Sequence, residues 1–187
     1  KKIIFFSSQA IYGEDTNNNS ITEKTLPNPT SYYGIAKYAS EKLLSKVSKE
    51  KKIPLLILRM PRIYGPGDNE NYGPTQFCKK GIRNENIHIW GDGREKRDYV
   101  HIDDLMEIVD KLFKKNVDGE INICSGKPVN FKNILFYVQQ NIKKKIKIVY
   151  KKRTRPKVDH IMRNDLLIKK IGKYKFKSLS QGIKTFL

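Results

Sequence analysis

Short apolar runs alternate along the 187-residue chain with segments whose apolar residues recur at helical spacing. The runs predict strands, because strands of a buried parallel sheet carry nearly continuous apolar residues. We place these strands at 3–6, 54–58, 87–90, 120–124 and 146–150. The helical spacing predicts helices at 33–49, 76–83, 105–113, 131–142 and 164–171. Strands that alternate with helices indicate an α/β fold with a mainly parallel sheet.

The first predicted helix is amphipathic, and Thr30 or Ser31 can cap its start. Its apolar residues form one stripe, made of Ile35, Ala36, Ala39, Leu43, Leu44 and Val47. Polar and turn-forming residues predict loops at 9–29 and 65–74. Long loops of this kind usually carry function.

The net charge of +19 has two interpretations. The first is a partner that is anionic, either a nucleic acid or a membrane surface. The second is a set of lysines spread over solvated faces of a protein that binds an anionic substrate. Thirty of the 38 basic residues are lysines, dispersed through every segment, which favours the second interpretation and no nucleic-acid partner.

Composition also predicts the class of protein. The apolar runs are far shorter than the roughly 20 residues that span a bilayer, so we expect no membrane segment and a cytoplasmic protein. The two cysteines form no CxxC pair, and the three histidines lack ligand spacing. We therefore expect neither a disulfide framework nor a metal site.

Tyr33 and Lys37 stand four residues apart in the first predicted helix, so their side chains share one face. A lysine ammonium beside a phenol favours the phenolate, a base that can take a hydroxyl proton near neutral pH. The spacing alone is unspecific, because 10 tyrosines and 30 lysines produce such pairs by chance; Tyr38 and Lys42 form another. The pair gains weight from the serines that end the first predicted strand, because ligands of open α/β sheets bind beyond the carboxyl ends of strands.

Five stretches in order carry a family resemblance. They are Phe6-Ser-Ser-Gln-Ala-Ile-Tyr-Gly, Pro29-Thr-Ser-Tyr-Tyr-Gly-Ile-Ala-Lys followed by Ser40-Glu-Lys, Leu58-Arg-Met-Pro-Arg-Ile-Tyr-Gly-Pro-Gly, Trp90-Gly-Asp-Gly-Arg-Glu-Lys-Arg-Asp-Tyr-Val-His-Ile-Asp-Asp, and Arg155-Pro-Lys-Val-Asp with Asp165 beyond. Together they resemble the extended short-chain dehydrogenase/reductase superfamily, and within it the NAD-dependent sugar-nucleotide epimerases and dehydratases of the UDP-glucose 4-epimerase type. The resemblance covers nearly the whole chain.

This resemblance implies the C-terminal part of a Rossmann-like doubly wound parallel sheet plus a smaller α/β substrate-binding lobe. Residues 1–64 would be the second half of the NAD(P)-binding domain and would carry the catalytic residues. Residues 65–187 would be mainly the sugar-nucleotide-binding lobe, with some segments returning to the sheet.

The resemblance also implies catalytic and cofactor-binding roles. Tyr33 would exchange the proton of the sugar hydroxyl, and Lys37 would hold the nicotinamide ribose. Ser8 would hydrogen-bond the same hydroxyl; the spacing to the Tyr-Gly that follows favours Ser8 over Ser7. Ser7 and Pro61 would join Tyr33 and Lys37 in binding the cofactor, which is NAD or NADP.

The implied substrate is a nucleotide-diphosphate sugar. Trp90 would offer an aromatic face to the base, and Arg97 and Arg155 would meet the diphosphate with charge-assisted hydrogen bonds. The family usually has asparagine at the position of Arg62. In this chain the guanidinium of Arg62 would add another contact to the anionic substrate. Two alternatives remain open: Trp90 as a core residue, and Arg155 as one charge of the basic run 143–157.

No GxxGxxG pattern occurs in the sequence, although in this family such a turn seats the cofactor's pyrophosphate on a helix N-terminus. We therefore expect an N-terminally truncated sequence or a split gene product that is inactive by itself.

The expected reaction is epimerisation of a nucleotide-activated hexose through a transient keto-sugar, in a homodimer. Gln9 and Ala10 stand where dehydratases of this family have Asp-Glu, and neither can act as acid or base, which disfavours dehydration. An NAD(P)H-dependent 4-ketoreductase is the alternative. A basic nucleic-acid-binding protein or a non-catalytic fragment on the same fold is the alternative of another class.

Overall fold

A computed structural model describes residues 1–13, 18–68, 73–154, 157–185 and 187. In chain order these residues form β1 (Ile3–Ser8), a 3₁₀ helix (Gln9–Tyr12), β2 (Asn18–Ile21), α1 (Tyr32–Lys51), β3 (Leu55–Met60), β4 (Arg62–Tyr64), α2 (Gly73–Ile82), β5 (Asn86–Trp90), β6 (Lys96–Arg97), β7 (Tyr99–His101), α3 (Ile102–Lys114), β8 (Gly119–Asn122), β9 (Val129–Asn130), α4 (Phe131–Ile142), β10 (Lys147–Lys151), β11 (His160–Met162), α5 (Asp165–Ile171) and α6 (Leu179–Lys184). No helix within these ranges combines the length and the apolar character needed to cross a membrane.

The central sheet has three parallel strands in the order β1, β3, β8. β3 is its middle strand, and the side chains of residues 55–59 are buried, which explains the nearly continuous apolar run of its sequence. Helix α3 and helix α5 cover this sheet, and the core between them includes Leu56, Leu58, Leu105, Ile108, Leu112, Ile121 and Leu167. The predicted α/β fold with a parallel sheet is confirmed.

Helix α1 packs on β1 and β3 through a face that is small and polar. Its buried residues are Gly34 and Glu41, whereas Leu43 of the predicted apolar stripe is 67% exposed. Ile35 and Val47 of the same stripe are also exposed. The stripe was predicted correctly as one side of a helix, but that side faces away from the sheet.

A second core lies around β5, β10, α2 and α4. β5 and β10 pair in parallel, α4 packs against both α2 and α6, and the buried residues include Tyr64, Phe77, Ile87, Ile89, Tyr99, Ile134, Leu135, Val138 and Ile183. The strands and helices predicted for this half of the chain are present within a few residues of their predicted ends.

The segment 9–29, predicted as a loop, contains the 3₁₀ helix and β2. β2 pairs in parallel with β11, with His160 opposite Asn18 and Met162 opposite Ile21. Because the partner strand lies far along the chain, local polarity gave no sign of this pairing.

Candidate active site at the carboxyl end of the sheet

Ser8 ends β1, where the chain turns into the 3₁₀ helix. Its hydroxyl oxygen accepts a hydrogen bond from the Ala10 amide at 3.2 Å, so Ser8 caps that helix. The cap fixes the side chain at the edge of the sheet and uses only the acceptor side of the hydroxyl. Among the described residues no acceptor takes the Ser8 proton, so it can be donated to a ligand.

Gly34 brings the first turn of α1 against this 3₁₀ helix. A Cβ atom built at Gly34 would lie 2.6 Å from the Ala10 carbonyl oxygen and 3.1 Å from Pro29 Cβ. Only a residue without a side chain permits this approach, which explains a glycine in a helix despite its low helix propensity. Ser31 caps the helix by accepting from the Gly34 amide at 3.1 Å. The contact places Tyr33 beside the segment that follows Ser8.

Lys37 links Tyr33 to β1. Its Nζ donates to the Phe6 carbonyl oxygen at 2.8 Å and lies 5.7 Å from the centroid of the Tyr33 ring. Tyr33 is 55% exposed, and Lys37 is half-buried. The structure thus brings Ser8, Tyr33 and Lys37 to the carboxyl end of β1, with the phenol open to solvent.

Ser7 faces the opposite side of the strand from Ser8 and is fully buried. Its hydroxyl donates to Glu41 Oε1 at 2.5 Å. The structure therefore does not support a cofactor contact by the Ser7 side chain, because its hydroxyl is committed inside the protein.

A buried ionic cluster, formed by Ser7, Tyr12, Glu41, Arg59 and Asn122, lies directly behind the catalytic candidates. Arg59 forms a two-pronged ion pair with Glu41, with Nε–Oε1 at 3.1 Å and Nη2–Oε2 at 2.8 Å. The Tyr12 hydroxyl accepts from Arg59 Nη1 at 3.0 Å and donates to Asn122 Oδ1 at 2.8 Å. All five side chains are almost completely buried.

The electrostatics of this cluster favour one charge state. Burial raises the pKa of Tyr12 to about 12, against the lowering effect of Arg59, so the phenol is neutral. Burial opposes the charge of Arg59, but its hydrogen bonds to Glu41 and its contact with Tyr12 raise the pKa of the guanidinium above its ordinary value. Arg59 is therefore charged and is compensated by Glu41.

Sequence reasoning missed this cluster, although two signals pointed to it. Arg59 is a charged residue inside the apolar run of β3, and buried charges in proteins are almost always paired. Glu41 follows Lys37 by four residues, as Lys37 follows Tyr33, so all three lie on one side of α1.

The structure places two of the four residues predicted to bind substrate around one cavity of about 320 Å³. Arg62 begins β4 and Trp90 ends β5, and both line this cavity together with Gln76, Phe77, His88 and Glu95. Trp90 is 52% exposed, so it is not a core residue. Pro61, between β3 and β4, is buried, and its contact with a cofactor stays a prediction.

Arg97, in β6, is not among the described residues that line this cavity. Burial lowers the pKa of Arg97, and the positive charge of Arg62 lowers it further. Arg97 Nη1 donates to the carbonyl oxygens of Lys96 and Val158, so its position is fixed by the main chain. Arg62 at the cavity, with Arg97 within electrostatic reach of it, favours an anionic ligand. Arg155 lies outside the described residues.

The end of the 90–104 stretch has a structural role. Asp98 is fully buried and accepts hydrogen bonds from the amides of Ser125 and Gly126, and burial raises the pKa of its carboxyl to about 6. His101 caps α3 by accepting from the Asp103 amide at 3.2 Å, and its Nε2 lies 2.9 Å from Thr185 Oγ1.

Comparison with known proteins identifies an epimerase and a dehydratase of nucleotide sugars as relatives of this chain. A putative UDP-glucose 4-epimerase of Methanocaldococcus jannaschii is 31% identical over 191 residues, covering 98% of this chain and 61% of that protein. A dTDP-D-glucose 4,6-dehydratase of Dictyostelium discoideum is 33% identical over 131 residues, covering 65% of this chain and 30% of that protein.

Two solved structures have the same fold over almost the whole chain. The UDP-glucose 4-epimerase of Thermotoga maritima, solved with UDP-glucose, superposes with a TM-score of 0.89 at 31% identity and covers 99% of this chain and 62% of that one. The UDP-glucuronic acid 4-epimerase of Bacillus cereus, solved with UDP-glucuronic acid and NAD, superposes with a TM-score of 0.88 at 27% identity, with 99% and 60% covered. The chain thus spans less than two thirds of the length of each of these proteins.

The predicted Rossmann-like fold is confirmed by these superpositions. The model of the NAD dependent epimerase/dehydratase family matches residues 1–124, about two thirds of the sequence and all the elements that hold Ser8, Tyr33 and Lys37. The chain belongs to the NAD dependent epimerase/dehydratase family.

Proposed function

We propose that the full-length protein carrying this chain is an NAD(P)-dependent epimerase of a nucleotide-activated hexose that works through a transient keto-sugar. The observation that carries the proposal is the grouping of Ser8, Tyr33 and Lys37 at the carboxyl end of β1, with the phenol exposed. Ligands of open α/β sheets bind at this edge.

The residues present fit the nicotinamide side of the cofactor. Lys37 is half-buried next to the exposed Tyr33, so one ammonium can serve both the phenol and a ribose hydroxyl. NAD, when bound, supplies a reversible acceptor for the hydrogen of the sugar carbon. The glycine-rich turn that holds the pyrophosphate in this family is not among these 187 residues.

In this proposal Tyr33 takes the proton of the sugar hydroxyl and later returns it. The Lys37 ammonium stabilises the phenolate, while its hydrogen bond to the Phe6 carbonyl oxygen keeps it above the end of β1. Ser8 donates its free proton to the same sugar oxygen and so orients the hydroxyl toward Tyr33.

The nucleotide and its diphosphate occupy the cavity beside β5. In this proposal Arg62, which lines the cavity, and Arg97, within electrostatic reach of Arg62, meet the phosphate oxygens, for which guanidinium forks are well suited. The exposed Trp90 ring is available for stacking on the base.

Dehydration is disfavoured by the residues that follow Ser8. Ala10 is buried and has no ionisable group, and Gln9 cannot exchange a proton near neutral pH. The chain thus lacks an acid–base pair at the position where dehydratases of the family carry one.

The assay that tests the function uses the full-length protein with catalytic NAD and either UDP-glucose or UDP-glucuronic acid. We expect the 4-epimer to appear in the proton NMR spectrum without net consumption of NAD, because the hydrogen returns to the sugar. We expect no turnover from residues 1–187 alone, because their sequence contains no glycine-rich turn to bind the pyrophosphate of the cofactor. Stoichiometric NADPH consumption on a keto-sugar, or a 4-keto-6-deoxy product, would contradict epimerisation.

We also propose that the full-length protein is a homodimer that associates through the outer side of α1. Large side chains on that side are exposed, namely Tyr32, Ile35, Leu43 and Val47, and contiguous apolar surface of this kind marks interfaces. We expect a dimer mass in sedimentation at micromolar concentration and a shift toward monomer in Leu43→Lys. Leu26→Lys, which changes an exposed leucine before α1, is the control; a monomeric wild type would disprove the proposal.

A further inference from the structure

Glu41 occupies a special position on α1. It follows Lys37 by one helical turn and Tyr33 by two, so the three residues form one row on the side of the helix that faces the sheet. Tyr33 is exposed, Lys37 is half-buried, and Glu41 is 2% exposed. The row therefore runs from the solvent-facing phenol to a carboxylate inside the protein.

The partners of Glu41 come from different strands of the sheet. It accepts from Ser7 of β1 and from Arg59 of β3. In the sheet register Ser7 lies opposite Arg59, and Arg59 lies opposite Asn122 of β8. The buried ionic cluster thus crosses all three strands at one level.

The residues of the cluster are adjacent in sequence to the candidate catalytic serine and to the residues around it. Ser8 directly follows Ser7, and Tyr12 ends the 3₁₀ helix that Ser8 caps. The Phe6 carbonyl oxygen, which accepts from Lys37, directly precedes Ser7. β1 and the 3₁₀ helix are therefore bonded to the cluster through Ser7 and Tyr12, and α1 is bonded to it through Glu41, one helical turn beyond Lys37.

Apart from Tyr38, which packs against the cluster around Ile11, large apolar side chains contribute little to the rotation of α1, because Ile35, Leu43 and Val47 are exposed. A two-pronged guanidinium–carboxylate pair has a fixed geometry, which a layer of apolar side chains lacks. Together with the close approach at Gly34, the Glu41–Arg59 pair therefore sets which side of the helix meets β1.

We propose that Glu41 is a positioning residue, held by Arg59, that fixes the rotation of α1 and thereby the distance of Tyr33 and Lys37 from Ser8. The inference rests on the proposed function. Glu41 itself is buried and takes no part in proton transfer.

The test compares Glu41→Gln with Glu50→Gln in the full-length protein. Both changes remove a carboxylate from α1, but Glu50 is exposed and forms only a 3.8 Å surface pair with Lys46. We expect Glu41→Gln to lower kcat about 100-fold, because a misplacement of about 1 Å costs that much. The KM for the nucleotide sugar should change little, because its other contacts lie around β5. Glu50→Gln should leave both constants unchanged.

Circular dichroism separates positioning from loss of folded protein. It measures the folded fraction of Glu41→Gln, and we expect the loss to persist when kcat is expressed per folded molecule. Ser7→Ala removes the hydrogen bond from Ser7 to Glu41 and keeps the Glu41–Arg59 ion pair. It is therefore the second test variant if Glu41→Gln does not fold. It should reproduce the kcat loss, with a smaller magnitude, at unchanged KM.

Hydrogen exchange tests the positioning role without any measurement of enzymatic activity. A failure of the proposed function can therefore be distinguished from a failure of the positioning role. Relative to Glu50→Gln, Glu41→Gln should accelerate amide exchange in residues 9–12 and 32–38 and leave α3 unchanged. Wild-type protein without epimerase activity would refute the function alone. Unchanged kcat per folded molecule and unchanged exchange in Glu41→Gln would overturn the positioning role.

Discussion

Replacing Tyr33 by Phe is expected to lower the turnover of the full-length protein by about 10²- to 10⁴-fold, the usual contribution of a positioned acid–base group. The substitution removes only the phenolic oxygen of a side chain that is 55% exposed, so neither the core nor the nucleotide site should change. We therefore expect nearly unchanged binding of the nucleotide sugar. Steady-state kinetics and calorimetry measure the two quantities.

The chain supplies a matched control for this change. Tyr38 and Lys42 have the same spacing on the same helix, and Lys42 Nζ lies 5.0 Å from the centroid of the Tyr38 ring. Tyr38, however, packs against the buried residues around Ile11 and Met162. Tyr38→Phe should therefore keep normal turnover. Normal turnover in Tyr33→Phe, or equal losses in the two variants, would remove Tyr33 from its role as the base.

Replacing Arg62 or Arg97 by Ala should each weaken binding of the nucleotide sugar about 30-fold, which corresponds to the ~2 kcal/mol of one hydrogen bond to a charged group. The positive charge of Arg62 acts on Arg97, and an anion bound between them would relieve this repulsion. Calorimetry with UDP as the probe isolates the diphosphate from the sugar.

Lys42→Ala is the control for the loss of a positive charge, because Lys42 lies on α1 over the Tyr38 ring. It should bind UDP like the wild type. Arg97 also donates to main-chain carbonyl oxygens, so melting temperatures are compared to exclude a loss of structure. Equal affinities in Lys42→Ala and both arginine variants would show that net charge, and not a built phosphate site, attracts the nucleotide.

The local pattern of apolar and polar residues was sufficient to predict most strands and helices of the two cores. The run Leu-Leu-Ile-Leu at 55–58 predicts a buried strand because both of its faces are covered. Phe131–Ile142 has the predicted bounds because Asn130 caps its start and the apolar spacing continues to its end. Tyr33 and Lys37 were recognisable from their helical spacing together with the serines that end β1.

Pairings between distant segments could not be predicted in the same way. Tyr12 and Asn122 meet through a hydrogen bond across 110 residues, and nothing next to either residue marks the other. The apolar stripe of α1 does not identify the side of the helix that meets the sheet, because Ile35, Leu43 and Val47 of that stripe are exposed. The inner side is instead recognisable from Gly34 and from the charged Glu41, once a partner such as Arg59 is sought.

The main-chain contact at Gly34 limits how this sequence can change over evolutionary time. Any side chain there must displace the Ala10 carbonyl, and that shift moves the serine cap and the neighbouring phenol together. A single substitution at this position thus moves two candidate catalytic groups at once, whereas a change at Ala36, on the open side of the same turn, moves neither. Divergent members of the lineage should therefore vary freely at position 36 while glycine persists at 34.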